Sequence, residues 1–214
     1  MKLSRGFTII ELIISIFILS VAVVGIFSAF SMVVILTSDA ADRLTATYLA
    51  QEGMETARNI RDINWLNMDQ NPGTASWVDG LTAGGINNGI DCTQGCEADY
   101  ESTRMSPWVD TDYLKIDSSQ NGSGFYNYTS GTDTKFKRKI IITCLPDKDC
   151  TDTSDYIIKV VVQVSWNQKA TILNPYNQAG TGVCPGSNCI ASEETLYDWY
   201  NYLSSQPVVP PPGQ

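Results

Sequence analysis

The most constraining feature of this chain is an apolar run near its N-terminus. Residues 7–36 form 30 consecutive positions that only one charge, Glu11, interrupts. Because about 20 apolar residues cross a bilayer as a helix, the run predicts a transmembrane helix with length to spare. Lys2 and Arg5 precede the run and acidic residues follow it. The positive-inside rule therefore places the N-terminus in the cytoplasm and the C-terminus outside.

The run is too long for an ordinary secretory signal, which has a shorter apolar core followed by a small-residue cleavage site. The segment Ser28-Ala29-Phe30 is a weak candidate for such a site. We therefore expect the run to remain as a membrane anchor.

Composition excludes several classes of function. The 214 residues carry a formal net charge of −9 and no histidine. An acidic chain is a poor general binder of nucleic acid, because phosphates need clustered Lys and Arg. The absence of histidine removes the usual general base and the commonest zinc ligand. We expect a protein that is not an enzyme and needs no cofactor, with no catalytic residues and no metal site.

The segment Gly6-Phe7-Thr8-Ile9-Ile10-Glu11, after a short basic leader and before an unbroken apolar helix, resembles the class III signal of type IV prepilins. The resemblance implies that a prepilin peptidase cuts between Gly6 and Phe7 on the cytoplasmic side and methylates the new N-terminus at Phe7. It also implies a pilin-like fold, in which one long N-terminal helix packs on an antiparallel sheet.

Glu11 is interpreted as an assembly residue. Cleavage would leave a positive amine on Phe7, one helical turn from the Glu11 carboxylate, and a paired charge in an apolar bundle costs far less than an unpaired one. Pairing with the amine of the same or a neighbouring chain would favour one register between subunits. The competing interpretation is an interfacial carboxylate that reaches the lipid headgroups.

The helix is predicted to continue beyond the membrane, from about Phe7 to about Asn64, because no proline occurs before Pro72 and a helical period persists. Small residues form one face, with larger apolar residues beside it (Ala46, Ala50, Gly53 and Ala57; Leu49, Ile60 and Ile63). Pairs Glu55–Arg58 and Arg58–Asp62 are expected on the exposed side. Gly25 and Gly53 are possible soft points, each costing about 1 kcal/mol relative to alanine.

The residues after the helix predict a head with long loops and an antiparallel sheet, which with the helix gives an α+β fold. Residues 66–134 are rich in Gly, Asn, Ser, Thr and Asp and predict a loop-rich connection. Alternating segments at 135–144 and 156–166 predict an antiparallel hairpin, with a third strand or a helix near 194–200. The domains are thus a leader at 1–6, a transmembrane helix at 7–36, its amphipathic continuation at 37–64, a head at 65–206 and a proline-rich tail at 207–214.

The six cysteines form three close pairs, which suggest disulfides and an oxidising compartment. Six cysteines allow 15 pairings, and the sequence does not choose among them. Local pairing is preferred because each pair would close a turn, and zinc binding is the competing idea. The candidate pairs are Cys92 with Cys96, Cys144 with Cys150, and Cys184 with Cys189.

Two charged features offer further sites. The acidic turns Asp110-Thr111-Asp112 and Asp147-Lys148-Asp149 with Asp152 could hold calcium, although both lack the pattern of an EF-hand loop. The basic run Lys135 to Lys139 could serve DNA uptake, but strand alternation favours a solvent-facing role. We interpret both features as solvated surface.

The resemblance as a whole implies a minor pilin, or a pseudopilin of type II secretion, that is a structural filament subunit. Its expected partners are the prepilin peptidase, other pilin subunits in a helical filament, an inner-membrane assembly platform and the lipid bilayer, with nucleic acid disfavoured. The expected location is the bacterial inner membrane, then a cell-surface or periplasmic filament. The alternatives are an adhesin or DNA-uptake subunit, and a membrane-anchored extracellular domain that never assembles.

Overall fold

A single long helix opens the fold. The computed structural model describes residues 8–87, 89–117, 124–145, 157–167, 184 and 188–198. Helix α1 covers Ile9–Gln70, so it ends six residues beyond the expected Asn64. The extension is stabilised by the head, because Trp65 is buried in its core. The helix then ends just before Pro72, since proline disfavours helical geometry in the residue preceding it.

The chain forms two compact units, residues 1–44 and 45–214. In the first unit, the described residues form the N-terminal part of α1, and its apolar side chains are exposed. The second unit contains the rest of α1, all eight described strands and the hydrophobic core.

Five strands of the head form an antiparallel sheet in the order β2-β1-β6-β7-β8. A smaller sheet has the order β4-β3-β5. The strands are β1 (Cys96–Glu97), β2 (Ser106–Pro107), β3 (Lys115–Ile116), β4 (Tyr126–Asn127), β5 (Thr132–Asp133), β6 (Phe136–Cys144), β7 (Ile157–Trp166) and β8 (Cys189–Tyr197). One long N-terminal helix with antiparallel sheets confirms the predicted α+β, pilin-like class.

The β6–β7 hairpin confirms the alternation seen in the sequence. The two strands pair antiparallel over nine residues, with Ile140 opposite Val162. Alternate side chains of β7 are buried, as expected for a strand that packs one face against the core. These residues are Ile158, Val160, Val162, Val164 and Trp166.

The third long strand is present, but its predicted bounds were wrong. β8 begins at Cys189, five residues before the expected start, and pairs with β7 along its whole length. Polar residues Ser192, Glu193 and Glu194 weaken its apolar pattern, so cross-strand pairing decides its extent. Leu196 faces the core. Residues 199 and 200, at the end of the predicted segment, lie outside the described residues, as does the tail at 207–214.

The small-residue face of α1 packs against the sheet, as predicted. Ala46, Ala50, Gly53 and Ala57 are all buried. Gly53 is not a soft point, because a Cβ atom there would lie 2.9 Å from Arg138 Cδ and 2.9 Å from Val162 Cγ1. Glycine permits this close approach of the helix. Ile63, by contrast, was expected beside the buried stripe, but 38% of its surface is exposed.

The helix surface pairs confirm one expectation and correct another. Arg58 contacts Glu55, as expected. The predicted Arg58–Asp62 pair is wrong, because the Arg58 guanidinium donates to both carboxylate oxygens of Glu194 on β8. Asp62 instead accepts from Arg61 at 3.0 Å. A contact between residues 136 positions apart in sequence cannot be found from helical spacing.

Disulfides join Cys92 to Cys96 and Cys184 to Cys189, two of the three local pairs that the sequence analysis preferred. Cys144 is also disulfide-bonded, while Cys150 lies outside the described residues. Cys92 and Cys96 are buried, and the Cys92 carbonyl accepts from Ile142 N at 3.1 Å on β6. Backbone pairing therefore holds both ends of this loop on β6, and the disulfide closes the loop.

Candidate processing and assembly site

The start of α1 carries the residues expected to direct processing and assembly. Gly6 and Phe7, at the expected cleavage point, lie outside the described residues. The first helical hydrogen bond runs from Leu12 N to Thr8 O at 3.2 Å. Glu11 therefore lies in the first turn, where a carboxylate interacts favourably with the positive end of the helix dipole.

The Glu11 side chain is exposed. Within the part of the chain that the structure describes, its carboxylate has neither a hydrogen bond nor an ion pair. The Glu11 backbone carbonyl accepts a hydrogen bond from Ser15 Oγ at 2.7 Å. The carboxylate is thus presented on an apolar helix surface, where a cation from the same or another chain can approach it.

Four hydroxyl groups in this part of α1 are satisfied by the helix itself. Ser15, Ser20, Ser31 and Thr37 each donate to a backbone carbonyl three or four residues earlier, at 2.7 to 2.9 Å. In hydrocarbon an unsatisfied polar group costs several kcal/mol, so these bonds make the surface compatible with lipid. By contrast, the charge of the Glu11 carboxylate is not neutralised by any of the described residues.

The helix is long and apolar enough to cross a membrane. Its most apolar 18-residue window has a mean hydropathy of 2.8 and is fully exposed. The exposed side chains lie on all sides of the helix rather than along one stripe. A helix that is apolar all round requires an apolar environment outside its own chain.

The head contains a buried cation that sequence reasoning misplaced. Arg138 was grouped with Lys135, Lys137 and Lys139 as a solvent-facing basic run, but it lies on the core face of β6 and is fully buried. The period-2 pattern contained the signal, since Arg138 occupies the same parity as Phe136 and Ile140.

Arg138 connects three elements of the head. Its Nη1 atom donates to the Leu49 carbonyl and to Glu52 Oε1 on α1, each at 3.1 Å. Its Nη2 atom donates to the Ala98 carbonyl at 2.7 Å. Breaking a buried ion pair by removing one partner is strongly destabilising, because a charge remains uncompensated. Arg138 therefore serves the internal structure of the head.

The three lysines are also engaged with neighbouring groups. Lys137 Nζ contacts the Asp110 carbonyl and lies 4.7 Å from the Tyr113 ring centre. Lys139 Nζ lies 4.5 Å from the Trp108 ring centre, and Lys135 Nζ lies 5.7 Å from that of Phe136. Such cation–π contacts are typical of protein side-chain packing. The expected solvent-facing role therefore holds for the three lysines but not for Arg138, which is buried in the core.

The first acidic turn is engaged in local contacts. Asp110 faces Lys137, and Thr111 Oγ1 donates to Asp112 Oδ1 at 3.3 Å. The second turn, Asp147 to Asp152, lies outside the described residues. Among the residues that the structure describes, no group of three or more His, Cys, Asp or Glu side chains is arranged to hold a metal ion.

Two titratable groups near Arg138 have perturbed protonation. Tyr128 donates its hydroxyl proton to the Arg138 carbonyl at 3.0 Å, and burial raises the pKa of its phenol to about 12. Burial also raises the pKa of the Glu97 carboxyl, with repulsion from Asp112 and Asp99 in the same direction. Both groups therefore stay protonated to a higher pH in the folded protein than in water.

Comparison with known proteins supports the N-terminal interpretation. A model of the prokaryotic N-terminal methylation motif matches residues 1–27. No curated protein and no solved structure matches the chain. The motif implies processing by prepilin peptidase and assembly with other pilin subunits, and with the apolar helix it fits an inner-membrane-anchored pilin. Pilin-type subunits are generally structural rather than enzymatic. The chain thus carries a class III prepilin-type signal, as in type IV pilins and pseudopilins, and this signal supports a type IV pilin-like subunit that is processed as a prepilin.

Proposed function

We propose that this protein is a structural subunit, a minor pilin or pseudopilin, of a type IV pilus or a type II secretion-type filament. Prepilin peptidase cuts it between Gly6 and Phe7 and methylates Phe7. The observation that carries the proposal is a methylation motif over residues 1–27 on a helix that, from Ile9 to Leu36, is apolar and exposed on all sides and carries one charged residue, Glu11.

The apolar surface is compatible with both states of the subunit, inserted in the membrane and assembled in a filament. The bilayer first covers the side chains between Ile9 and Leu36, with the N-terminus in the cytoplasm and the C-terminus outside. Contacts with the same segment of other copies then replace the lipid in a cell-surface or periplasmic filament. A head-to-tail contact that repeats without closing generates a helical filament. An inner-membrane assembly platform would supply the subunits.

Glu11 gives the assembly its register. The amine left on Phe7 after cleavage is positive, and the Glu11 carboxylate is unpaired within the described residues. Inside an apolar bundle, the arrangement that brings the two charges together is strongly favoured over arrangements that leave them apart. One axial offset between neighbouring subunits is therefore selected.

The first experiment measures the mass of the N-terminal peptide of the protein isolated from its native membrane. A peptide that starts at Phe7 and carries one additional methyl group is expected. An intact Met1 or formyl-Met1 terminus would overturn the proposal and leave an ordinary membrane-anchored protein.

The second experiment compares Glu11→Gln with Glu55→Gln, the same change on an exposed side chain elsewhere on α1. Glu11→Gln should still enter the membrane and be cut, but it should be lost from sheared filaments. Glu55→Gln should be incorporated normally. Normal incorporation of Glu11→Gln would contradict the assembly role of this carboxylate and favour the interfacial interpretation.

The DNA-uptake alternative draws no support from the basic run, because Arg138 is buried and the three lysines contact aromatic rings. The proposal includes two filament types, a surface type IV pilus and a periplasmic type II secretion-type filament. Immunolocalisation of the protein in cells that lack one system or the other distinguishes them. The long loops of the head and the proline-rich tail favour an accessory subunit over a major one.

A further inference from the structure

The head contains a polar cleft to which the proposed function assigns no role. It has a volume of about 470 Å³ and lies between the C-terminal end of α1, the loop that follows it and residues 103–104. This volume falls within the range of about 300 to 1,000 Å³ that small-molecule sites occupy. The cleft lies entirely within the second unit of the chain.

Asparagines from α1 and the residue just after it line one wall of the cleft. Asn64, Asn67 and Asn71 follow one another at helical spacing and therefore lie on one side of α1. The side chains of Asn67 and Asn71 are exposed and make no hydrogen bond with the described residues. Asparagine is among the weaker helix formers, so helix stability does not account for this row.

The opposite wall is held in place by hydrogen bonds. Asp79 accepts from Ser76 N at 2.9 Å and from Asn87 N at 2.8 Å, which uses both carboxylate oxygens. Asn64 Nδ2 donates to the Trp77 carbonyl and to the Asp79 carbonyl at 3.1 and 2.7 Å. The loop is thereby attached to the helix, so the cleft is formed before any ligand binds.

A glycine fixes the third side of the cleft. Gly80 has a φ of +68°, and a Cβ atom there would lie 2.8 Å from Arg104 Cβ. The Gly80 carbonyl accepts from Met105 N at 2.8 Å, next to Thr103 and Arg104. The close backbone approach requires glycine and positions the Thr103 and Arg104 side chains at the cleft.

The lining selects against charged and strongly apolar ligands. It contains one carboxylate, Asp79, and one guanidinium, Arg104, so its formal charge is balanced although the chain is acidic. The other polar groups are amides and hydroxyls, and an amide presents a donor and an acceptor side by side. Ile63, which is partly exposed, adds a small apolar surface.

We propose that this cleft binds a neutral, hydroxyl-rich ligand the size of about one or two sugar units. Sugar hydroxyls donate and accept at the same time, which matches the free amides of Asn67 and Asn71 and the hydroxyl of Thr103. The C–H face of a sugar ring can lie on Ile63. Binding by each head is expected to be weak, and a filament that displays many heads would increase avidity.

The simplest competing explanation is a solvated helix end whose polar side chains have no ligand. The two explanations differ in a measurable way, because the solvated end would bind no sugar and would not distinguish Asn67 from any other exposed asparagine. Asn59 provides that comparison, since it is exposed on α1 but does not line the cleft.

The test uses saturation-transfer NMR on the full-length, unassembled chain in a zwitterionic detergent without a sugar headgroup. The probes are glucose, galactose, mannose, N-acetylglucosamine and their disaccharides, each titrated to about 10 mM. Transfer to at least one probe is expected. Asn67→Ala combined with Asn71→Ala should weaken that binding about tenfold or more, whereas Asn59→Ala should leave it unchanged.

The alanine variants are expected to retain the fold, because Asn59, Asn67 and Asn71 are exposed and alanine raises helix propensity at the two positions within α1, and circular dichroism checks this directly. The proposal is overturned if no probe shows transfer, or if the cleft and control variants bind alike. Preference for inorganic phosphate or a sugar acid would also overturn it, by making the ligand anionic. Because the assay uses unassembled protein, its result is independent of whether filaments form.

Discussion

Large apolar side chains are exposed in the first part of α1, whereas the second part buries several of them. Between Ile9 and Leu36, large apolar residues are mostly exposed, for example Phe17 at 66% and Phe27 at 69%. Within the head, Leu49 and Ile60 on the same helix have 2% and 0% of their surface exposed. The first part has no partner within its own described unit, while the second part has a sheet.

The contrast in exposure indicates where each part of α1 obtains its stability. The head buries its apolar face internally and can be stabilised or destabilised by changes in its own contacts. The N-terminal part depends on lipid or on other copies of the chain. Changes in the head should therefore alter its free energy of unfolding, whereas comparable changes in the N-terminal part should alter insertion and assembly.

The largest expected effect on the head is at Arg138. Arg138→Ala removes the donor to Leu49 and Ala98, leaves the Glu52 carboxylate without its buried partner and opens a cavity. The free energy of unfolding should fall by about 3 to 5 kcal/mol. Chemical denaturation of the full chain in detergent, followed by tryptophan fluorescence, measures this loss.

Lys159→Ala is the control for that experiment, because its ammonium forms an ion pair with Glu193 at 2.9 Å at the protein surface. Such pairs contribute about 0 to 1 kcal/mol. The double change Arg138→Met with Glu52→Leu should restore much of the stability, since apolar groups replace both charges. An Arg138→Ala head as stable as the wild type would contradict the role of the buried cation.

The two glycines of α1, one in each part of the helix, test most directly whether only the second part contributes to the stability of the head. Gly53→Val should lower the free energy of unfolding of the head by about 1 to 3 kcal/mol, because added atoms meet Arg138 and Val162. Gly25→Val should leave head stability unchanged, because a Cβ atom there would meet nothing within 4 Å beyond the adjacent backbone of the helix itself. Equal effects at the two sites would contradict the conclusion that only the second part of α1 packs within the head.

Alkaline pH should destabilise the head through Tyr128. Its pKa is raised to about 12 mainly by burial, whereas the unfolded chain has a value of about 10, so the folded state holds this proton more tightly. The resulting stability is fully present below pH 10 and is lost as the pH rises to about 12. The loss should approach 2 kcal/mol.

Denaturation curves recorded across this pH range check the Tyr128 prediction. Tyr128→Phe should show a shallower decline of stability with pH than the wild type, although it lacks the hydrogen bond to the Arg138 carbonyl. Tyr100→Phe, at an exposed ring, should decline as the wild type does. A decline in Tyr128→Phe as steep as that of the wild type would assign the effect to another group.

The smallest expected effect is at Glu97. Burial raises the pKa of its carboxyl, so the stability linked to its proton is present below the unfolded value of about 4.5 and is lost as the pH rises through the raised folded value. Glu97→Gln should therefore be slightly more stable than the wild type near pH 7. The thermal midpoints of the two proteins should converge below about pH 4. Glu101→Gln, at an exposed position, should show no such difference.

Local patterns predicted much of the fold. The long helix, the β6–β7 hairpin and the small-residue face of α1 all follow from spacing along the chain, because each pattern repeats at the period of its own element. Two local disulfides were preferred for a similar reason, since neighbouring cysteines can close a short loop. The start of β8 was misplaced because pairing with β7 outweighs its weak apolar pattern.

Contacts between distant residues could not be predicted in the same way. Arg58 pairs with Glu194 rather than Asp62, and Arg138 enters the core because Glu52 and two carbonyls compensate its charge there. The cleft likewise combines residues of α1 with loops that follow it by many positions. None of these partners is adjacent in sequence.

The prepilin-type signal, the apolar anchor and the order of helix and strands follow from the amino-acid sequence, since they depend on residues close together in the chain. Which charges are buried, why Gly53 must be glycine and which polar groups surround the cleft follow only from the folded head. The physical reason is that burying a charge or excluding a side chain depends on the atoms that packing brings near it, and packing joins segments that the sequence separates.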